Sequence, residues 1–216
     1  MSQSPTIECK PNGPYLVKNL GDLVDGRGNS VDAKPVMALC RCGGSGNKPF
    51  CDGTHNKNGF SGSRLSEPGA DKRESYRATR ITIHDNRSIC AHAGRCTDGL
   101  PSVFKYKHEP WIDPAAGAID EIIDVIRRCP SGALSYTLDE VDEVDEVDER
   151  VQPCMPSITV TKDGPYEVVG DVQLLAQAWG EGALTERFTL CRCGASKNKP
   201  FCDGTHGSIG FKDGSD

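Results

Sequence analysis

The sequence predicts an α+β fold in which two small β-rich units repeat one another and a different domain lies between them. Two sixteen-residue segments, Cys40–His55 and Cys191–His206, share one pattern of three cysteines and a histidine. Ile7–Tyr15 matches Ile158–Tyr166 at the same offset along the chain, so the repeat extends beyond these residues. The intervening segment has its own helical pattern and its own cysteines.

Each repeat is predicted as a strand, a Gly-Pro turn, a second strand and then the cysteine-containing loop. We expect the two units to pack around an internal pseudo-two-fold axis, as two subunits do in a symmetric dimer. The predicted parts are a first repeat, a linker, a middle domain, an acidic linker and a second repeat, at residues 1–61, 62–74, 75–138, 139–156 and 157–216.

The middle domain is predicted from a strand, a helix and a second strand. Tyr76–His84 alternates in the manner of a strand, and Ala133–Leu138 is its expected partner. Isoleucines recur at helical spacing across residues 119–126 and give one apolar helix face that leads into Cys129.

Composition excludes several classes of protein. Of the 216 residues, 36% are hydrophobic and 6% aromatic, so a small repeat needs an extra staple such as a metal. Residues 1–10 contain no apolar run resembling a signal peptide, and no stretch of eighteen apolar residues occurs. Because the 11 cysteines cluster with histidines, we expect reduced, ligating thiols in the cytoplasm and no membrane span.

The net charge of −6 is a local property of the chain. Asp139–Arg150 holds eight acidic residues and one basic residue, and without those eight acids the charge would be +2. Valine at every third position does not form a stable apolar helix face, so we expect a solvated, self-repelling tether. A docking tail for a basic partner is the alternative, and no nucleic-acid binding is expected.

Each repeat supplies four side chains of the ligand type in the form C-x-C-x8-C-x3-H. The C-x-C pair is close enough to grip one iron, while the third cysteine and the histidine project from one face of a short turn capped by aspartate. Zinc accepts the same ligand set, so a zinc-stapled interaction module is the alternative. The candidate ligands are Cys40, Cys42, Cys51 and His55 in the first quartet and Cys191, Cys193, Cys202 and His206 in the second.

The two segments resemble the CDGSH-type iron–sulfur domain, the mitoNEET-like family. Both read C-x-C-x2-S-x3-P-x-C-D-G-T-H and change the five-residue signature only by Thr54 and Thr205 in place of serine. The resemblance covers about half of the chain. It implies a 2Fe-2S cluster in each quartet, with two cysteines on one iron and Cys plus His on the other, and an internal pairing of the two motifs.

A histidine in place of a fourth cysteine changes the expected chemistry of each quartet. Neutral imidazole removes one negative charge and so raises the reduction potential relative to an all-cysteine site. Imidazole is also protonated near neutral pH, whereas a bound thiolate is much harder to displace. Cluster release and pH sensing are therefore alternatives to electron transfer.

The middle domain resembles the single-cluster bacterial ferredoxins. Cys90 and Cys96 match the first and third cysteines of C-x2-C-x2-C, Ala93 replaces the second, and Cys129 stands in the downstream C-P. The resemblance implies that these three cysteines hold a 3Fe-4S cluster, or that His92 joins them as a fourth ligand for a 4Fe-4S cluster. A clusterless scaffold is the third interpretation.

The other cysteines and histidines are not predicted as ligands. Cys9 takes the place of Val160 in the repeat and is expected to be an inward-facing strand residue. Cys154 lies in a Pro-bounded linker and has no counterpart. His84 and His108 lack a cysteine loop around them and are predicted to be structural.

These features predict a one-electron carrier with two 2Fe-2S clusters and a third cluster of the ferredoxin type. The expected partner of this monomer is a redox protein or an apo-protein that accepts clusters. An iron or iron–sulfur store, a redox or pH sensor and a cluster-transfer protein are the alternatives. The sequence shows no Ser/His/Asp arrangement, phosphate-binding loop or dinucleotide fingerprint, so no enzyme activity is predicted.

Overall fold

The structure, a computed structural model, describes four segments of the chain: residues 4–65, 72–138, 155–175 and 179–214. The predicted acidic tether at 139–150 and Cys154 lie outside the described residues. Within the described segments the fold is β-rich, with eleven strands and three short α-helices, as the repeat pattern predicted. None of these helices is long and apolar enough to cross a membrane.

The strands fall into three sheets, one for the middle domain and two shared by the repeats. The first repeat provides β1 (Thr6–Cys9), β2 (Tyr15–Lys18), β3 (Asp22–Asp25) and β4 (Val36–Leu39). The middle domain provides β5 (Glu74–Arg77), β6 (Ile81–Asp85) and β7 (Leu134–Leu138). The second repeat provides β8 (Ser157–Val160), β9 (Tyr166–Val169), β10 (Gln173–Leu175) and β11 (Arg187–Leu190).

The two repeats exchange one strand each. The sheets have the orders β10-β1-β2-β4 and β11-β9-β8-β3, so each contains three strands of one repeat and one of the other. The exchanged strands pair in parallel, with Ile7 opposite Leu174 and Leu23 opposite Ile158. Two strands per unit were predicted, and the four short strands β3, β4, β10 and β11 were missed.

Buried side chains from both repeats form the core between the two sheets. Ile7 and Val17 face inward from the first repeat, while Ile158 and Val168 occupy the same positions in the second, and none is more than 1% exposed. Fully burying one such side chain contributes about 1.5–3 kcal/mol. The two repeats therefore share a core, which neither could complete alone.

One tyrosine from each repeat contacts the ligand loop of the other repeat. The Tyr15 hydroxyl contacts the carbonyls of Cys191 at 2.9 Å and Pro200 at 3.0 Å, lying within hydrogen-bond distance of both. The Tyr166 hydroxyl contacts Cys40 and Pro49 at the same distances. Both tyrosines are fully buried, and their rings meet edge to face with centroids 6.1 Å apart.

The middle domain is a three-stranded antiparallel sheet in the order β5-β6-β7, with α1 (Arg95–Gly99) and α2 (Ile119–Arg127). The prediction of one strand over Tyr76–His84 is wrong, because a tight turn closed by Ala78 N–H and Ile81 C=O at 2.9 Å divides it into β5 and β6. The predicted partner strand and the apolar helix are confirmed as β7 and α2.

Replacing Tyr15 or Tyr166 with phenylalanine should lower the free energy of unfolding by about 1–3 kcal/mol, because each change leaves buried carbonyls short of a donor. Chemical denaturation followed by circular dichroism measures this loss. Tyr106→Phe is the control, since the Tyr106 side chain is exposed. An equal midpoint shift in all three variants would contradict the structural role of the buried hydroxyls.

Candidate metal centres

The first quartet is arranged as two close pairs on the loop that follows β4. Cys40 and Cys42 have their sulfurs 3.9 Å apart. Cys51 Sγ lies 3.3 Å from Nδ1 of His55. The sequence-predicted residues of this quartet are therefore brought together as one thiol pair and one thiol–imidazole pair.

The second quartet repeats this geometry on the loop after β11. The sulfurs of Cys191 and Cys193 are 3.7 Å apart, and Cys202 Sγ lies 3.4 Å from Nδ1 of His206. Within the part of the chain that the structure describes, no three of its His, Cys, Asp or Glu side chains converge on one position suited to a metal ion. Each quartet thus presents its four candidate ligands as two separate pairs.

An aspartate clasps each ligand loop from two sides. Asp52 accepts the N–H of Thr54 at 3.0 Å with one oxygen and the N–H of Gly46 at 2.8 Å with the other. Asp203 makes the equivalent bonds at 3.1 and 2.8 Å. The cap position itself is taken by Gly53, whose φ of 86° favours glycine. The aspartate was predicted to cap the helical turn, but the cap residue is the glycine that follows it. The aspartate still accepts backbone hydrogen bonds from the turn.

The serine of the repeated pattern closes the loop from inside. Ser45 donates its hydroxyl to the carbonyl of Phe50 at 2.7 Å and accepts the N–H of Asn47 at 3.0 Å. Ser196 donates in the same way to Phe201 at 2.7 Å. A short side chain that both donates and accepts therefore fixes the path between the two ligand pairs.

Backbone N–H groups point at the ligand sulfurs. In each repeat the glycine of C-D-G donates its N–H to the cysteine two residues earlier at 3.4 Å. The donors are Gly53 and Gly204. Such N–H dipoles stabilise anionic sulfur, as they do around iron–sulfur clusters.

The two ligand loops contact each other at a ligand cysteine of each. Cys42 and Cys193 form an antiparallel β-bridge. A Cβ atom at Gly43 would lie 2.6 Å from the carbonyl oxygen of Cys193, and one at Gly194 would lie 2.6 Å from that of Cys42. Both glycines have positive φ, so only glycine allows this close approach.

An arginine separates the first two cysteines of each quartet and is buried. Arg41 is 4% exposed and Arg192 is 1% exposed. Arg192 donates to the carbonyls of Thr161 at 2.6 Å and Gly164 at 2.9 Å, and it pairs with Asp213 at 2.5 Å. Each ligand loop thus carries one buried positive charge, on the residue between its first two cysteines.

The buried thiols need a positive charge to ionise. Burial raises the pKa of Cys202 to about 12 and that of Cys90 to about 11. The pKa of Cys191 is raised by its hydrogen-bonded neighbour Cys193 and by burial. A coordinated metal deprotonates a thiol outright, which would overcome these raised pKa values.

The three cysteines of the middle domain line one cavity of about 350 Å³. Cys90 and Cys96 enter it from the loop before α1 and from α1 itself, and Cys129 enters from the end of α2. Cys129 is 8% exposed. The structure therefore gathers the predicted middle-domain cysteines around one shared space and not onto a single metal position.

His92 lies at the rim of this cavity and also touches the second repeat. Its φ is 53°, in the left-handed region. A Cβ atom added to Gly204 would lie only 2.3 Å from Cδ2 of the His92 ring. The imidazole thus packs against the C-D-G turn of the second quartet, and its role as a fourth ligand stays a prediction.

Sequence reasoning missed Asp85, Arg87 and Trp111 in the cavity wall. Asp85 is 1% exposed, and among the described residues neither of its oxygens accepts a hydrogen bond, although Arg87 Nε lies 3.2 Å away. Burial raises the pKa of Asp85 to about 6, while Arg87 acts in the opposite direction. Asp85 ends β6, and only its position beyond an apolar strand could have marked it.

The remaining cysteine and histidines lie outside the quartets. Cys9 is half-buried and packs against the core of the repeats. His84 lies within hydrogen-bond distance of Ser75 at 2.8 Å and Thr137 at 3.1 Å on the middle sheet. His108, predicted to be structural, lines the middle cavity.

Comparisons with known proteins agree with this geometry. A family model for the iron-binding zinc finger of CDGSH type matches residues 12–56 and 163–207, and a model for a divergent 4Fe-4S mono-cluster domain matches residues 76–139. The uncharacterized protein YjdI of Escherichia coli strain K12 is 39% identical over 61 residues, which are 28% of this chain and 80% of that protein. YjdI of strain O157:H7 gives the same values. No solved structure matches the chain significantly.

The sites and the matches define an iron–sulfur-binding protein. More specifically, the chain belongs to the CDGSH-type family and carries two CDGSH motifs on either side of a divergent 4Fe-4S mono-cluster domain.

Replacing Asp52 or Asp203 with asparagine should speed the loss of bound iron from the corresponding loop by roughly tenfold, because the amide group faces one of two N–H donors with an N–H of its own. Decay of visible absorption in the purified holo-protein measures this rate. Asp120→Asn, on the exposed face of α2, is the control. An unchanged decay in both loop variants would show that the clasp does not hold the ligands.

Proposed function

We propose that the protein is a non-catalytic one-electron carrier. In this proposal Cys40, Cys42, Cys51 and His55 hold one 2Fe-2S cluster, and the equivalent quartet of the second repeat holds another. Two ligand pairs per loop support this assignment, because a two-iron centre takes one pair on each iron. A bound cluster supplies a centre that gains and loses one electron, while the loop residues hold it in place.

The middle domain completes the proposal with a third cluster. Cys90, Cys96 and Cys129 would hold a 3Fe-4S cluster, and a fourth ligand from His92 would make it 4Fe-4S. Their shared cavity and the mono-cluster family match support a ferredoxin-like domain. The reciprocal strand exchange and the paired tyrosine contacts support a pseudo-two-fold arrangement of the repeats.

One observation carries the electron-transfer proposal: the loops that carry the three sites are in contact. The bridge between Cys42 and Cys193 joins the two quartets, and the packing of His92 on Gly204 joins the second quartet to the middle cavity. A series of adjacent centres is what electron transfer requires. We propose a cytoplasmic monomer whose partner is another redox protein, with no membrane or nucleic-acid partner.

Cluster transfer to an apo-protein is the second candidate. The half-buried Cys51 and His55 favour it, because a ligand pair close to the surface is within reach of an acceptor. The two functions differ in one measurement. A transfer protein passes intact clusters to an apo-acceptor faster than free iron and sulfide assemble them there, whereas an electron carrier retains its clusters through repeated reduction and oxidation.

Anaerobic purification with iron and sulfide analysis and EPR tests the assignment of the sites. Filled outer and middle sites give about seven irons per chain with a 3Fe-4S centre and about eight with a 4Fe-4S centre. About four irons would mean that only the outer quartets are loaded. A colourless protein with zinc in place of iron and sulfide would overturn the proposal in favour of a zinc-stapled module.

The variants Cys51→Ser and Cys202→Ser should each lower the iron content by about two atoms per chain, because each removes a ligand of one quartet. Metal analysis of the purified variants measures the loss. Cys9→Ser is the matched control, since Cys9 lies on β1 outside both quartets. A similar loss of iron in the control would contradict the ligand assignment.

A further inference from the structure

The two quartets have nearly the same sequence but different surroundings. Cys202 is 2% exposed, whereas Cys51, its counterpart, is half-buried. Phe201 is 2% exposed, whereas its counterpart Phe50 is half-buried. Because the loops themselves match residue by residue, the difference arises from what packs on them.

The middle domain covers the second ligand loop. Asn198 donates its side-chain amide to the carbonyl of Ser88 at 2.7 Å. His92 packs on Gly204, the glycine of the C-D-G turn. The Cys202 side of the second quartet is therefore covered by the same loop that presents Cys90 to the middle cavity.

An ion pair and a hydrogen bond hold this arrangement. Arg95 donates to both carboxylate oxygens of Glu167 on β9 at 2.7 and 2.8 Å. Arg187 on β11 donates to the carbonyl of Cys129 at 3.4 Å. Both contacts come from Nη2 of Arg95, so one guanidinium nitrogen lies within hydrogen-bond distance of both carboxylate oxygens.

The first ligand loop has no such cover among the described residues. Asn47, the counterpart of Asn198, is exposed. A Cβ atom at Gly53 would meet nothing closer than Asn56 Nδ2 at 4.0 Å. Cys51 is therefore more accessible to a partner molecule than Cys202.

The buried arginines also differ between the repeats. Arg192 is paired with the buried carboxylate of Asp213. Gly62 takes the place of Asp213 in the first repeat, and it offers Arg41 only its carbonyl, at 2.9 Å. No carboxylate of the described segments lies in ion-pair range of Arg41. The positive charge of Arg41 is thus less neutralised than that of Arg192.

We propose that the first quartet is the outward-facing centre with the higher reduction potential, and that the second quartet is an enclosed link of lower potential between it and the middle cavity. This inference rests on the proposed function. An uncompensated buried cation favours the more negative, reduced state of a nearby centre, which raises its potential.

The contacts then order the transfers within the chain. With clusters bound, a one-electron donor protein would reduce the middle site held by Cys90, Cys96 and Cys129, and the His92 and Gly204 contact would connect it to the second quartet. The Cys42 and Cys193 bridge would connect the second quartet to the first, from which the electron would leave to a one-electron acceptor protein. Each transfer would oxidise one centre and reduce the next by one electron.

Accessibility can be tested one quartet at a time. Of the two quartets, only the second is loaded in a Cys51→Ser background and only the first in a Cys202→Ser background, while the middle site is the same in both. With ferrozine as the iron chelator and visible circular dichroism as the readout, the second quartet should lose its signal at least roughly tenfold more slowly. Equal rates, or faster loss from the second quartet, would overturn the proposal.

The cover itself can be removed by a matched pair of changes. Asn198→Ala in the Cys51→Ser background should speed the loss of the second quartet's signal roughly fivefold or more, because it breaks the hydrogen bond to Ser88. Asn47→Ala in the Cys202→Ser background should change the rate of loss from the first quartet by less than about twofold. His92→Gly, which suits the positive φ at this position, should act like Asn198→Ala. If neither Asn198→Ala nor His92→Gly speeds the loss, the middle domain does not enclose the second quartet.

The difference in potential can be tested by exchanging the charge partner. EPR-monitored redox titration of the intact holo-protein should give the first quartet the higher potential. Gly62→Asp should lower the potential of the first quartet, and Asp213→Asn should raise that of the second. Equal potentials, a reversed order or no shift in either variant would contradict the proposal. Purified protein without iron and sulfide would instead overturn the proposed function.

Discussion

The two repeats depend on the strands and hydroxyls that they exchange. β3 completes the sheet of the second repeat, β10 completes that of the first, and Tyr15 and Tyr166 each reach the carbonyls of the opposite ligand loop. Each ligand loop is thus positioned by the repeat to which it does not belong. Because the bonds are reciprocal, a displacement of one loop disturbs the core beneath the other.

Much of the candidate site could be predicted from the sequence because its ligands lie close together in the chain. The spacing from Cys40 to His55 places all four side chains on one loop, and the second copy repeats it. The exchange of β3 and β10 could not be predicted, since four-residue and three-residue strands have weak patterns and parallel pairing gives no turn signal. The division of β5 from β6 was hidden by continuous alternation.

Residues that act through the tertiary fold also escaped prediction. Asp85 becomes a candidate functional residue only because β6 ends beside the cavity that Cys90 lines. His92 was predicted from its position between two cysteines, yet in the structure its ring packs on Gly204 of a distant loop. A pattern in the sequence identifies what a side chain can do, while packing decides which site it serves.

The strand exchange has a consequence for how such a chain can arise. A single repeat on its own would carry an unpaired sheet edge at β1, and an open edge invites a second chain to bind it. A gene for one repeat would therefore encode a two-chain assembly, with each subunit donating a strand. Joining two copies in one polypeptide makes that encounter intramolecular and independent of protein concentration. It also frees the copies to diverge, so that a domain inserted between them can pack on the ligand loop of the second copy, as Asn198 and Gly204 do with Ser88 and His92.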